Sequence, residues 1–255
     1  MPYTLDLSGK VAVVTGGVRG VGLGISRAFL DAGAEVIAVA RHAPDRLPSG
    51  LRFVPLDVRD AAAVRDFAEG LDRLDVVVNN AGGTPYLPAA DGAPRTHAKI
   101  IELNLVAPLY VARAANAVMQ RGDGGSIIMV GSVSGVRPSP GTAAYGAAKA
   151  GLDNLTRSLA VEWAPKVRVN ALTLGMVRTE RSHLHYGDEA GVAAVERTVP
   201  LGRLADPYDA GAACVFLASD LAGYVSGSAL LVHGGGERPA FLDAANADRT
   251  NQEGE

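Results

Sequence analysis

The 255-residue chain contains one cysteine, Cys214, so no disulfide can form within it. That fits a reducing cytoplasm. Cys214 lies in the apolar stretch AACVFLA and reads as buried filler. Histidine is scarce, five in all, and no Cys/His spacing suits zinc, so no metal is expected. Excess basic charge is missing too. The net charge is −3 and the pI about 6.0, which argues against nucleic acid or an anionic membrane as partner. No apolar run approaches the roughly 18 residues that span a bilayer. The opening MPYTLDLSGK has no basic segment followed by an apolar one, so no signal peptide is expected. These absences leave a soluble, cytoplasmic protein acting on a small molecule.

What is present is a globular balance, 48% hydrophobic and 20% charged. Short apolar runs alternate with longer segments of helical period. Strands are expected at 11–14, 35–40, 51–56, 75–78, 126–130, 167–172 and 229–232. Helices are expected at 21–32, 61–71, 94–120, 142–163 and 206–218. Several strands are continuously Val/Ile/Leu, the pattern of a strand covered on both faces. Strand–helix alternation predicts an α/β fold, a parallel sheet with helices on both sides. No break splits the chain. Residues 178–200 have helical character without a strand and read as a flap over a site. Residues 237–255 lose the pattern and read as a mobile tail.

The first strand runs into Thr15-Gly16-Gly17-Val18-Arg19-Gly20-Val21-Gly22, and a helix follows. Glycines let backbone approach a pyrophosphate, and a helix start offers free N–H groups and a positive dipole end. The position between a first strand and a first helix favours dinucleotide binding over a plain glycine-rich turn. A further absence then matters. The second strand ends Val39-Ala40-Arg41-His42, with no acid before Asp45 to hold a ribose 2′-hydroxyl. Arg41, with Arg19 in the glycine loop, suits a 2′-phosphate, which favours NADP(H) over NAD(H). Taken alone, Arg41 also reads as a solvated surface residue.

Asp57-Val58 and Asn79-Asn80-Ala81-Gly82 follow the third and fourth strands, at the ends where open α/β sheets bind ligands. A helix cap and a turn are the structural alternatives. Tyr145 and Lys149 stand four apart on one helix and so share a face. Lowering a tyrosine by about 2–3 pH units corresponds to roughly 3–4 kcal/mol. A nearby ammonium and an oxidised nicotinamide supply charge of that order in a partly dry cleft, making Tyr145 a proton donor to a ketone or a base for an alcohol. Ser132, at the end of the fifth strand, lies 13 residues earlier and is suited to hold the substrate oxygen. Without context the pair reads as an exposed ladder and the serine as a loop residue.

Together these pieces resemble the short-chain dehydrogenase/reductase family, in its short single-domain branch with TGxxxGxG and YxxxK motifs. The resemblance runs from Leu7 to about Gly236 and rests on an ordered set: TGGVRGVG, LDV, NNAG, Asn104, GSVSG, YGAAK, and VNALTLG with Thr179. It implies a Rossmann-type doubly wound seven-stranded parallel sheet with helices on both faces, one domain over 1–236, in a homotetramer or homodimer. It implies acid/base chemistry by Tyr145, with Lys149 lowering its pKa and binding the nicotinamide ribose. Ser132 would orient the substrate oxygen, and Asn104 would hold a proton-relay water near Lys149. Gly16, Val18, Arg19, Gly20, Val21, Gly22 and Arg41 would take the phosphates. Asp57 and Val58 would contact adenine, Asn80, Ala81 and Gly82 would line the cofactor, and Gly175, Val177 and Thr179 would approach the carboxamide.

Two positions depart from the family pattern. Leu174-Gly175 stands where Pro-Gly is usual, and His233-Gly234-Gly235 where Asp-Gly-Gly is usual. The first is expected to alter a turn at the nicotinamide pocket, the second local packing or subunit contacts. The expected activity is hydride transfer between NADP(H) and a secondary alcohol or ketone. A dinucleotide-binding sensor without turnover is the alternative, but it would have no need of Ser132, Tyr145 and Lys149 together. Isomerase or dehydratase chemistry with a resident cofactor is a third reading. Tyr86 and Leu87 are expected as apolar walls of the pocket mouth. Arg181, His183, His185 and Tyr186 are expected in the flap.

Overall fold

The computed structural model describes residues 5–245. Seven strands form one sheet: β1 (Val11–Thr15), β2 (Glu35–Ala40), β3 (Leu51–Pro55), β4 (Val76–Asn79), β5 (Gly125–Ser132), β6 (Val167–Leu174) and β7 (Ala229–Val232). Their order is β3-β2-β1-β4-β5-β6-β7, and every pairing is parallel. The helices are α1 (Gly20–Asp31), α2 (Ala61–Glu69), α3 (Pro94–Ile101), α4 (Ala107–Arg121), α5 (Ala143–Glu162), α6 (His183–Tyr186), α7 (Glu189–Glu196), α8 (Pro207–Ala218) and α9 (Phe241–Ala244).

The unbroken apolar runs are explained by a core on each face of the sheet. Val13, Ile37, Val77, Ile127 and Val169 pack with residues of α2, α4 and α5. Their neighbours Ala12, Val14, Val36, Val76, Ile128 and Leu172 pack on the other face with α1 and α8. Side chains alternate across a strand, so a strand buried on both sides has no polar positions to spare. Cys214 is fully buried in this second core. Strand order reverses between β1 and β4, the place where open α/β sheets form a ligand crevice.

The single helix expected over 94–120 is in fact two. A π-turn at Glu102–Val106 separates α3 from α4. Pro108 has no N–H to give the carbonyl four residues back, which belongs to Asn104, and the wider turn absorbs that mismatch. β5 and β6 each run two residues further than expected, so Ser132 and Leu174 end them as register partners.

The segment 178–200, expected as a flap, folds into α6 and α7. Val192, Val199 and Leu204 give it a small core of its own, and Arg178 ties it together through Glu189 (2.7 Å) and Glu196 (3.3 Å). The expected tail begins tied down: Glu237 pairs with Arg137, and the Arg238 N–H donates to Thr198 O at 2.8 Å. Residues 246–255 of that segment lie outside the described residues. Among the described residues no helix is long and apolar enough to cross a membrane.

Candidate active site

A cleft of about 1070 Å³ runs along the C-terminal ends of the strands. At its phosphate end, Gly16 (φ 65°) and Gly20 (φ 49°) take left-handed conformations. A side chain on Gly22 would bring its Cβ to 2.2 Å from Gly16 O. These close approaches explain the glycines. Arg19 caps α1 without a side-chain hydrogen bond, and the first helical bond is Leu23 N–H to Arg19 O. The N–H groups of the first turn are therefore left for an anion. That donor set, opening on a long cleft, fits a dinucleotide pyrophosphate.

Thr15 ties this loop to the next. Its hydroxyl accepts from the N–H groups of Asn80 and Ala81, each at 2.9 Å, and the Asn80 amide donates to Thr15 O at 2.9 Å. Thr15 opens the glycine motif in the sequence, but nothing local to it shows which partners its hydroxyl meets. Its partners lie 65 and 66 residues away.

At the adenosine end Arg41 is exposed on the cleft wall. Asp57 and Val58 line the cleft as expected, but Asp57 does not stand alone. Arg59 Nε and Nη2 grip its carboxylate at 3.0 and 2.6 Å. Arg59 is the chief cause that holds Asp57 down at about 2, with a smaller contribution from Arg41. Arg59 also lines the cleft, a second cation that the sequence reading missed. Asp60, not Asp57, caps α2.

At the reacting end Ser132, Tyr145 and Lys149 all line the same cleft as the glycine loop. Ser132 Oγ accepts from Ser134 N–H at 3.2 Å, which fixes the hydroxyl at the strand end. The electrostatics differ from expectation. Burial pushes the Tyr145 phenol above its ordinary value, and its hydrogen bond with Ser132 opposes the rise. Lys149 does not reach the phenol oxygen. Its ammonium donates to Val130 O at 2.7 Å and sits 5.5 Å from the centroid of the Tyr145 ring. Burial lowers Lys149 to about 8, while Asp153 one turn further along α5 opposes the drop.

Asn104 is the one residue expected to act in catalysis or cofactor binding that does not line the cleft. It is fully buried in the π-turn. Its side chain accepts from Gly83 N–H (2.9 Å) and donates to Gly83 O (2.9 Å) and Ile100 O (2.8 Å). In this arrangement it fastens the loop after β4 to the turn between α3 and α4.

One expected wall needs correction. Tyr86 lines the cleft, but Leu87 packs on Gly92, because its own N–H is drawn to Gly141 O at 2.7 Å. Arg181, His185 and Tyr186 of the flap line the cleft whereas His183 does not; a single helical turn cannot present both histidines to one side. The two departures from the family pattern prove to be neighbours. Leu174 is in register with Val232, and a Cβ on Gly175 would lie 2.7 Å from His233 Cβ.

A doubly wound parallel sheet with a glycine-lined crevice at its switch point defines a dinucleotide-binding fold of the Rossmann class. The family model described as "Enoyl-(Acyl carrier protein) reductase" matches residues 16–237. The chain is 31% identical to the human dehydrogenase/reductase SDR family member 4, over 90% of this chain and 88% of that one. It is 32% identical to the 2-dehydro-3-deoxy-D-gluconate 5-dehydrogenase of Pseudoalteromonas atlantica, over 90% and 96%. A solved structure from Beutenbergia cavernae, described as a candidate NAD(P)-dependent gluconate 5-dehydrogenase with NADP at low occupancy, superposes with a TM-score of 0.83. That pair is 33% identical, covering 91% of this chain and 98% of the other. The protein belongs to the short-chain dehydrogenase/reductase family.

Proposed function

We propose that the protein transfers hydride between NADP(H) and the alcohol/ketone pair of a small secondary alcohol, with Tyr145 as acid and base. The reading rests on one observation: Ser132, Tyr145 and Lys149 line the same cleft as the uncapped start of α1. Bound nicotinamide supplies or accepts the hydride. In the reducing direction the substrate carbonyl carbon takes the hydride, and its oxygen takes the Tyr145 proton, so ketone becomes alcohol. The Ser132 hydroxyl holds that oxygen beside the phenol. Lys149 keeps a cation beneath the tyrosine ring, where it favours a developing phenolate. Asn104 acts as a positioning residue through Gly83.

The preference for NADP(H) is drawn from Arg41 and from the missing acid at the end of β2. Arg59 adds charge to the same wall. NADPH absorbance followed with a panel of ketones and alcohols tests the reading. Consumption of one NADPH per ketone reduced, weakened in Ser132→Ala, is the expected result. Tight nucleotide binding with no net redox change across the panel would contradict it.

A further inference from the structure

The loop between Ser132 and Tyr145 carries a cation at the rim of the cleft. The Arg137 N–H donates to Val133 O at 3.0 Å, which fixes the residue to the turn that follows Ser132. Arg137 lines the cleft, and its side chain is 40% exposed. A carboxylate from far along the chain is already seated on it. Arg137 Nη2 donates to Glu237 Oε1 at 2.5 Å, and Nη1 donates to Pro138 O at 3.1 Å. Tyr186 of the flap feels both charges. Burial raises its phenol most, Glu237 adds to the rise and Arg137 opposes it. Arg137 therefore faces the flap, at the substrate side of the cleft.

The other cations of the cleft have different places. Arg19 and Arg41 stand at the phosphate and adenosine end, Arg59 is committed to Asp57, Lys149 lies buried near Tyr145, and Arg181 stands exposed on the 178–200 segment. Arg137 is set apart by its partner. A guanidinium presents a planar fork suited to both oxygens of a carboxylate. Glu237 uses one oxygen on one nitrogen. An exposed pair of that kind is weak, and a bidentate carboxylate held by the rest of a bound molecule displaces it.

We propose that Arg137 docks a carboxylate of the substrate and that Glu237 is the internal carboxylate it displaces. The substrate is then a hydroxy acid or its keto acid. This rests on the oxidoreductase reading above. A neutral analogue leaves Arg137 on Glu237 and gains nothing from it.

Matched hydroxy acids and their methyl esters, followed by NADPH absorbance, test the proposal. The acid is expected to have the lower KM. Arg137→Gln is expected to raise the KM of the acid about tenfold with kcat little changed and the ester unaffected, the size of one lost charge-assisted contact. Glu237→Gln is expected to lower the KM of the acid, because the competing carboxylate is gone. A purely structural clasp predicts that Arg137→Gln impairs acid and ester alike, and that result would overturn the proposal. So would equal use of acid and ester by the wild type; Tyr145-dependent turnover of the ester would still leave the oxidoreductase reading in place. If neither is turned over while cofactor binds, that reading fails and carries the carboxylate site with it.

Discussion

The Lys149 ammonium lies 5.5 Å from the centroid of the Tyr145 ring and hydrogen-bonds Val130 O at 2.7 Å. The cation thus lies within cation–π range of the ring and hydrogen-bonds the β5 carbonyl. One turn further on, Asp153 is buried with Oδ1 lacking a partner, as is Thr173 Oγ1, and a Cβ on Gly131 would lie 3.3 Å from each. The buried lysine is held by a carbonyl on β5 and feels the charge of Asp153. Its charge is costly there, and the cost depends on pH.

Burial lowers Lys149 from 10.5 to about 8, and Asp153 opposes the drop. An unfolded chain keeps this proton up to its ordinary value. Between about pH 8 and 10.5 the unfolded state therefore binds more protons, and stability rises with pH. The full rise from this one group is about 3 kcal/mol, and below about pH 8 its contribution is flat. Urea unfolding of wild type and Lys149→Met across this range measures it. The wild-type curve is expected to climb relative to the variant; parallel curves would show that the ammonium is not destabilised by burial.

On the proposed NADP(H) reading, cofactor choice is set at the end of β2. Arg41→Asp is expected to lower the NADP(H)-to-NAD(H) ratio of kcat/KM by on the order of a hundredfold, the scale of losing charge-assisted bonds to a phosphate. Steady-state rates with each cofactor measure it. An unchanged ratio would place the 2′-phosphate contact elsewhere.

Asn104→Ala is expected to cost about 1–3 kcal/mol, because it removes the buried side chain that bonds Gly83 N–H, Gly83 O and Ile100 O. Cofactor affinity should fall with it, since the loop after β4 loses its anchor. Calorimetric unfolding and a cofactor titration check both effects. Wild-type stability and affinity in the variant would show that the π-turn positions nothing.

Gly175 leaves room for His233. Gly175→Ala puts a Cβ at 2.7 Å from His233 Cβ and is expected to cost about 1–3 kcal/mol. Adding His233→Gly should recover part of the loss, since the His233 Cα at 2.9 Å remains, and a double-mutant cycle reads that coupling directly. Additive effects would show that Gly175 and His233 do not share this contact.

The fold was legible because both-face burial writes itself into β1, β2 and β4 as unbroken apolar runs. The glycine loop and the Tyr145–Lys149 spacing were legible because each needs fixed residues at fixed offsets within one local segment. Thr15, Arg59 and the Gly175–His233 contact were not. Thr15 and His233 act through partners tens of residues away, and Arg59 reads as an ordinary surface charge beside a strand end. The π-turn was hidden because its periodicity matches the helices on either side, with Pro108 as the one local sign. The orientation of Lys149 was also beyond sequence, since an i, i+4 pair fixes a shared face but not which atom the ammonium meets.

The most direct test is the rate of NADPH-linked turnover in Tyr145→Phe, with cofactor binding measured beside it. A phenol that trades the substrate proton predicts a loss of about 10²–10⁴-fold in kcat with cofactor affinity nearly unchanged. Turnover close to wild type in that variant would contradict it.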